Sequence, residues 1–447
     1  YKNWLGYKIT SDITSSLSVP QPKDIFTDSR KIKSPGWFLP IQGEKYDGHS
    51  FIHQLIENKK ILGAFCTRSY YKKLNNNEKK FCLPLDNTLL GLQKISSGWK
   101  QKHTNLRTVA LTGSVGKSTT KEMIGLILEQ IDKCLDYAGN FNNEIGVPLS
   151  LLKINSSHKY AVLELGARKC GDIELLRDIV EADINCCLNV GSSHLGVFSS
   201  KENIYKTKTE IFKTSNTQKI KNLVFYDDAK LLSLARKKDP HVLSFGTHQL
   251  ADAQLIKSTW NKDLSMNLDF RIFNKKLEIK LPCAHASYPI NALAAAFTCY
   301  LLTGDIDSIN KGLSKFTGLR GRYKVIKTPK HTFIDDVYNA SPESLKSAFI
   351  SLQKTFPQQS KTIILGDMNE LGEASIDLHK KIAQECLHIN ELKQVICIGE
   401  LAKNIFTHLK EKHSHLLLNH FETTEQLLSS GVLENINNKI IYAKASN

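Results

Sequence analysis

Hydrophobic and polar residues alternate with two different periods along this chain. Short runs of apolar and β-branched residues, such as "TVALTG" (108–113) and "YAVLELG" (160–166), are typical of buried strands. Between such runs, apolar residues recur every three to four positions, which is the spacing of one helix face. One example is the set Met123, Ile124, Ile127, Leu128 and Ile131. Alternating strand and helix patterns predict parallel sheets with crossover helices, and therefore an α/β protein.

The pattern divides the 447 residues into three zones, in agreement with the roughly two to four domains expected for this length. Residues 1–104 combine short strand-like runs with many turn signals. Residues 105–318 carry most of the alternation, including the apolar helical stretch 291–304, for which Gly304 is the stop signal. Residues 319–447 form a second, smaller α/β unit with the strand-like runs "HTFIDDVY", "KTIILGD", "KQVICIGE" and "KIIYAKAS".

Composition narrows the class of protein. Apolar residues make up 41% and charged residues 23%, as in globular proteins, and no run of about 18 apolar residues predicts a membrane span. No signal peptide pattern opens the sequence and the ten cysteines form no C-x-x-C pair, so we expect a cytoplasmic protein with free thiols. The net charge of +16 is compatible with nucleic acid, a membrane surface or a phosphate-rich substrate. Because the basic residues are spread along the chain, a solvated surface without a nucleic-acid partner is the favoured interpretation.

A glycine-rich segment lies between a predicted strand and a predicted helix. It consists of Gly113, Ser114, Val115, Gly116, Lys117, Ser118 and Thr119. This form is shorter than the common phosphate-binding loop G-x-x-x-x-G-K-[ST]. It would place Lys117 and Ser118 at a helix N-terminus, where backbone N–H groups and the helix dipole favour phosphate. Lys117 could reach the terminal phosphates and Ser118 could bind Mg²⁺, whereas the alternative is an ordinary strand–helix turn.

Segments in all three zones resemble motifs of the Mur ligase family and occur in that family's order. They are residues 28–52, "TGSVGKST" (112–119), "GNFNNEIGVPLSLL" (139–152), "LELGA" (163–167), "NVGSSHLGVFSSKENIYKTKTEIF" (189–212), "FIDDVYNASPESL" (333–345) and "LGDMNELGEAS" (365–375). The resemblance implies a small α/β UDP-binding domain over 1–104, a central P-loop ATPase domain with a mainly parallel sheet over 105–318, and a C-terminal Rossmann-like α/β domain over 319–447. The last domain would close over ATP about a hinge at 319–321.

The resemblance also implies an activity, that of an ATP-dependent, ADP-forming ligase of peptidoglycan precursor synthesis. ATP would phosphorylate the carboxylate of a UDP-linked peptide, Lys117 would neutralise the transferring phosphate, and an amine would then displace it. "DVYNASP" and "GDMNELG" resemble the branch that adds D-alanyl-D-alanine to UDP-N-acetylmuramoyl-tripeptide, and the D-[ND]-P-R motif of a sister branch is absent. The alternatives are a Mur ligase that adds a single amino acid, a non-catalytic Mur-like scaffold, and a nucleic-acid-binding ATPase. We expect a monomer.

Two Mg²⁺ ions and a carbamate are implied at the reacting groups. The resemblance assigns Ser118 and Glu164 to one Mg²⁺ and His194 to a second. Lys208 matches the family lysine that CO₂ converts to a carbamate, an anion suited to a site with metal ions, although Lys206 lies only two residues away. On residue type alone, Glu164, His194 and Lys208 would instead be a paired strand-end carboxylate, a loop histidine and a solvated helix lysine.

For ATP, the resemblance adds three residues outside the glycine-rich loop. Asn291 would contact adenine, Arg322 would reach the phosphates, and Asp336 would contact ATP at the ribose, with Asp335 as the competing choice. The alternatives are a helix N-terminal asparagine and a linker arginine.

The other substrates would contact three pairs of residues. The resemblance places Ser29 and Arg30 at the uridine diphosphate end, Asn142 and Asn143 at the reacting end of the peptide, and Tyr338 and Asn339 at the dipeptide. Turn and loop-capping roles are the alternatives for the last two pairs. Four residues near Ser29 and Arg30 in this domain are expected to form turns that shape the uridine diphosphate site: Gly43, Asp47, Gly48 and His49.

Overall fold

The computed structural model describes residues 21–32, 35–43, 46–135, 141–192, 195–213, 220–412 and 415–446. The strands are β1 Ile25–Phe26, β2 Gly36–Phe38, β3 Ile61–Thr67, β4 Cys82–Leu85, β5 Arg107–Thr112, β6 Cys134–Leu135, β7 Tyr160–Glu164, β8 Ile184–Cys187, β9 Lys221–Phe225, β10 Leu243–Gly246, β11 Ala253–Trp260, β12 Met266–Ile272, β13 Lys275–Leu281, β14 Lys324–Lys327, β15 Thr332–Asp335, β16 Lys361–Gly366, β17 Leu392–Ile398, β18 Leu417–Phe421 and β19 Ile440–Lys444. The α-helices are α1 Ile52–Glu57, α2 Arg68–Tyr71, α3 Asn76–Lys79, α4 Thr88–Gln101, α5 Lys117–Leu128, α6 Gly146–Leu151, α7 Asp172–Val180, α8 Leu195–Phe198, α9 Lys201–Thr209, α10 Ala229–Lys238, α11 Tyr288–Thr303, α12 Ile306–Leu313, α13 Pro342–Thr355, α14 Ser375–Cys386, α15 Lys403–Lys412 and α16 Thr424–Ser429. Short 3₁₀ helices cover Pro22–Asp24, Ser29–Lys31, Gly48–Phe51 and Gly372–Ala374.

These elements form two compact units that interleave along the chain. The first comprises Tyr1–Ala110, Asp132–Gly166 and Glu174–Ala182, and the second comprises Leu111–Ile131, Ala167–Ile173 and Asp183–Asn447. The division of the chain into the three domains named above stays a prediction.

The first unit contains a four-stranded sheet in the order β1–β2–β3–β4, in which all neighbours are parallel. Strand β3 is apolar along most of its length because both faces of the sheet are covered. On one face, Trp37, Phe65 and Leu92 belong to one buried cluster. On the other, Phe38 and Ile52 belong to a second cluster. The same unit also contains β6 and β7, which pair in parallel.

The second unit begins with the end of β5 and contains the larger part of the sheet strands. Strands β8, β9, β10 and β11 are parallel neighbours, and β11, β12 and β13 continue as an antiparallel meander. Helix α11 is buried on nearly all sides, which explains its continuous apolar sequence. Its C-cap is Gly304 with φ 70°, so the predicted stop signal is confirmed.

The C-terminal part of the second unit is a six-stranded sheet in the order β14–β15–β19–β16–β17–β18. All neighbours are parallel except β14 and β15. The four strand-like runs predicted after residue 319 correspond to β15, β16, β17 and β19. Parallel-rich sheets with intervening helices confirm the predicted α/β class.

Two predictions from composition can be compared with this fold. All ten cysteines fall in described segments and are free thiols, eight of them buried. Among the residues that the structure describes, no helix is long and apolar enough to cross a membrane.

Candidate active site

The glycine-rich loop connects the end of β5 at Thr112 to the start of α5 at Lys117. Gly113 has φ 152° and Gly116 has φ 86°, conformations that glycine adopts readily and other residues do not. Gly116 is the N-cap of α5 and provides no side-chain cap, so the helix presents its first N–H groups to a ligand. A Cβ atom on Gly116 would also lie 2.7 Å from Asn291 Oδ1. The loop therefore has the backbone of an anion site.

The segment 189–192, which follows β8, fixes this loop from one side. Asn189 Oδ1 accepts hydrogen bonds from Ser114 N at 3.1 Å and Val115 N at 3.0 Å, and Asn189 Nδ2 donates to Val115 O. Gly191 N donates to Ser114 Oγ at 2.8 Å. Asn189 had no predicted role, although its position at the carboxyl end of a predicted parallel strand was a usable signal.

Lys117 lies over the glycine-rich loop rather than in solvent. Its Nζ donates to Gly113 O at 2.6 Å and to Ser114 O at 3.3 Å, and the side chain is half-buried. Ser118 Oγ, the predicted metal ligand, accepts a hydrogen bond from Arg322 Nη2 at 2.9 Å. The structure thus brings Lys117, Ser118 and Arg322 to the same helix N-terminus.

Lys208 has the properties expected of a lysine that reacts with CO₂. It lies in α9 and is 3% exposed, whereas Lys206 is exposed. Burial is the main cause that lowers the pKa of Lys208 to about 7, and the nearby Lys117 ammonium is the second. Because only a neutral amine is nucleophilic, Lys208 is better suited than Lys206 to react with CO₂.

Glu164 and the two asparagines lie together in the first unit. Glu164 ends β7 and is 6% exposed. Asn142 O accepts from Gly166 N at 2.7 Å, two residues beyond Glu164. Asn143 Oδ1 accepts from Gly146 N at 2.8 Å and from Ile145 N at 3.3 Å, so it caps the loop that precedes α6, which was the alternative role for this residue. His194, the predicted ligand of the second metal, lies outside the described residues.

Asn291 places a buried amide group beside the loop. It lies in the first turn of α11 and is 5% exposed. Its Nδ2 is buried, and it has no hydrogen-bond partner within the described segments. A buried amide donor without a partner is costly, so a ligand acceptor would satisfy it. The amide donor therefore lies beside the phosphate-type loop, where a bound ligand could accept from it.

Arg322 lies in the segment between α12 and β14, the first strand of the C-terminal sheet. Arg322 Cζ lies 4.0 Å from the centroid of the Tyr338 ring, and Tyr338 N donates to Gly321 O. Tyr338 therefore positions the guanidinium group, whatever else it contacts. Asn339 is exposed, and its Oδ1 accepts from its neighbour Ala340 N at 2.9 Å.

Asp336 is buried and fully engaged with the protein. It accepts hydrogen bonds from Tyr323 N at 3.1 Å, Tyr442 OH at 2.9 Å and Lys444 Nζ at 2.7 Å. Asp335 is half-buried, and its Oδ2 accepts from Gly321 N at 3.1 Å. The partners Tyr442 and Lys444 were missed in the sequence because they lie about a hundred positions further along the chain.

The residues predicted at the uridine diphosphate end lie in the first unit. Arg30 is exposed, and its guanidinium forms two hydrogen bonds with Asp28, at 2.9 and 3.1 Å. His49 is buried and contacts Asp47 through Nδ1, and its Nε2 accepts from Thr67 N at 3.0 Å. Asp47 and His49 thus hold a turn against β3, in agreement with the predicted turn role, while Ser29 is half-buried beside Arg30.

Comparison with known proteins gives matches over most of the chain. Residues 111–299 match the Mur ligase middle domain and residues 321–446 match the Mur ligase glutamate ligase domain. UDP-N-acetylmuramoyl-tripeptide–D-alanyl-D-alanine ligase of Bacillus subtilis is 31% identical over 98% of this chain and 94% of its own. The chain belongs to the Mur ligase family. The equivalent ligase of Buchnera aphidicola is 31% identical over 94% of this chain and 87% of its own.

Solved structures of Mur ligases share the fold. MurF from Acinetobacter baumannii superposes with a TM-score of 0.82 at 29% identity, over 97% of this chain and 94% of that chain. MurF ligase from Thermotoga maritima in complex with ADP gives a TM-score of 0.81 at 25% identity, over 96% and 95%. The predicted family is therefore confirmed, and the predicted fold class holds over nearly the whole chain.

Proposed function

We propose that this Mur ligase is an ATP-dependent, ADP-forming enzyme that adds D-alanyl-D-alanine to UDP-N-acetylmuramoyl-tripeptide in peptidoglycan precursor synthesis. The observation that carries the proposal is the anion-binding loop with the Lys117 side chain lying over it. Relatives that align over most of this chain are named UDP-N-acetylmuramoyl-tripeptide–D-alanyl-D-alanine ligase. The terminal carboxylate of the tripeptide would be phosphorylated by ATP. The dipeptide amine would then displace phosphate to form the amide.

ATP would be held by residues that the structure brings together in the second unit. The first N–H groups of α5 and the Lys117 ammonium would hold the phosphates, with Arg322 beside Ser118. Asn291 Nδ2 is the donor available for adenine. Asp336 would contact the ribose, although its carboxylate already accepts hydrogen bonds from Tyr323 N and Lys444 Nζ. Asp335 remains the competing choice.

Arg322→Lys tests the nucleotide site. Lysine keeps the positive charge but loses the planar group that stacks on Tyr338 and the fork that reaches Ser118. We expect the KM for ATP to rise by about tenfold, with a smaller change in the KM for the tripeptide. Arg320→Lys, at an exposed position two residues earlier, is the matched control. Equal effects of the two variants would contradict this role of Arg322.

Two Mg²⁺ ions fit the chemistry of the predicted ligands. The Ser118 hydroxyl and the Glu164 carboxylate are the oxygen donors that Mg²⁺ prefers, and a Lys208 carbamate would add another anionic oxygen ligand. His194 completes the predicted set. The metal ions would supply positive charge against the oxygens of the transferring phosphate. For Lys208 the support is its buried position and lowered pKa, since a neutral amine is needed to take up CO₂.

The UDP-linked peptide and the dipeptide would contact three further pairs of residues. Ser29 and Arg30 would contact the uridine diphosphate end, Asn142 and Asn143 the reacting end of the peptide, and Tyr338 and Asn339 the dipeptide. The three domains would be 1–104, 105–318 and 319–447. We propose a monomer in the cytoplasm, where ATP is available and thiols stay reduced.

Product analysis tests this function against the alternatives. The enzyme is incubated with ATP, Mg²⁺, UDP-N-acetylmuramoyl-tripeptide and either D-alanyl-D-alanine or single amino acids, and products are identified by mass spectrometry. We expect a product that has gained the dipeptide, and only in the dipeptide reaction. A product that gained a single amino acid would identify another kind of Mur ligase. The absence of any product would favour a scaffold.

A further inference from the structure

Glu343, the second residue of α13, has one buried carboxylate oxygen to which none of the described residues donates. Its Oε1 accepts a hydrogen bond from Ser192 N at 2.6 Å. Its Oε2 is buried and has no hydrogen-bond partner in the described part of the chain. A Cβ atom on Gly191 would lie 3.0 Å from Glu343 Cδ, so the carboxylate rests directly on the backbone of 191–192. A buried carboxylate oxygen without a donor is costly and indicates a missing cationic or donor group.

The Glu343 carboxylate lies close to the phosphate loop along the backbone of residues 191–192. Gly191 N donates to Ser114 Oγ, and Ser192, the next residue, donates to Glu343. The carboxylate is therefore separated from the glycine-rich loop by one short stretch of backbone. The opposite charge prevails at the loop itself, where the Lys117 ammonium and the Arg322 guanidinium both lie at the start of α5.

Resting on the proposed function, we infer that Glu343 binds the α-ammonium group of D-alanyl-D-alanine. Oε2 accepts from the ammonium while Oε1 stays on Ser192 N. The α-ammonium is the only positive group of the dipeptide, so it is the group that a carboxylate would bind. A carboxylate one short backbone stretch from the phosphate loop would hold the amine close to the phosphorylated carboxylate. Charge-assisted hydrogen bonds of this kind are short and strong.

Two further features agree with this subsite. Tyr338 and Asn339, the residues predicted at the dipeptide, belong to the segment that leads directly into α13. Ser341 caps that helix through its side chain, which fixes the first turn and with it the position of Glu343. Glu343 is thus a positioning residue for the nucleophile, carried on a rigid helix rather than a loop.

Glu343→Gln separates this role from a purely structural one. Glutamine retains an oxygen that accepts from Ser192 N but lacks the charge that holds an ammonium group. We expect the KM for D-alanyl-D-alanine to rise by roughly 10- to 100-fold, with the KM values for ATP and the tripeptide changed by less than about twofold. Glu425→Gln removes an exposed carboxylate from the first turn of α16 and is the matched control, for which we expect no change.

A ligand analogue makes the test independent of protein stability. In D-lactyl-D-alanine a hydroxyl group replaces the ammonium, so its inhibition constant should change by less than about threefold in Glu343→Gln while the dipeptide KM rises. Equal weakening of both ligands, a loss of kcat at unchanged dipeptide KM, or an unchanged variant would each overturn the inference. If the wild-type enzyme does not use the dipeptide at all, the proposed function fails instead.

Discussion

Replacing Lys117 by alanine is expected to lower ligase activity by roughly 1,000-fold or more. The Lys117 ammonium lies on the glycine-rich loop, 2.6 Å from Gly113 O, where it can neutralise charge on a transferring phosphate. Removing one preorganised charged donor of this kind typically costs about 100- to 1,000-fold, and lysine supplies both the charge and the hydrogen bond. Activity is measured as phosphate release and as amide product.

The control for Lys117→Ala is Lys121→Ala, one turn further along α5. The control should retain activity within about threefold, because the effect of charge at a helix terminus fades within the first turn. Thermal unfolding of both variants shows whether the fold is retained. A folded Lys117→Ala enzyme with more than about a tenth of wild-type activity would contradict the assignment.

Lys208→Ala is expected to lower activity by at least about 100-fold, because it would remove the proposed carbamate, an anionic ligand, from a site that concentrates positive charge. The lowered pKa raises the fraction of neutral Lys208 amine at pH 7 from roughly one in 3,000 to about one half. We therefore expect the wild-type protein to gain the mass of one CO₂ in bicarbonate. A small carboxylate such as acetate should restore part of the lost activity by occupying the vacated space.

The pH dependence expected for the proposed carbamate follows from the same pKa of Lys208. Lys208 becomes protonated as the pH falls through about 7, so the carbamate and the activity should both be lost towards pH 6. Extra bicarbonate should offset part of this loss. Lys206→Ala is the matched control, since that side chain is exposed and should not matter. Full activity of Lys208→Ala, or modification of Lys206 instead of Lys208, would contradict the carbamate assignment.

The sequence predicts those elements whose local pattern is strong. The phosphate-type loop has its diagnostic residues within eight positions, and α11 is apolar enough to be recognised with Gly304 as its end. Strand β14 was missed because it is only four residues long and begins and ends with lysine. Strand β18 lies at the edge of its sheet and is largely exposed or half-buried, so its apolar pattern is weak.

The candidate site was predictable mainly through motifs and not through periodicity. The sequence did not reveal contacts between residues that are distant along the chain. Examples are the hydrogen bond from Ser114 N to Asn189 Oδ1 and the one from Lys444 Nζ to Asp336 Oδ2. Glu343 gave no signal either, because an acidic residue in the first turn of a helix is common. Only the structure shows that one of its oxygens is buried without a donor among the residues described.

Phosphate release with all combinations of substrates tests the central claim most directly. The enzyme, ATP and Mg²⁺ are combined with UDP-N-acetylmuramoyl-tripeptide, with D-alanyl-D-alanine, or with both. We predict steady release only when both are present, with one phosphate for each amide formed, because the amine must displace the phosphate before another turnover can begin. Steady release at the same rate without the dipeptide would contradict the account.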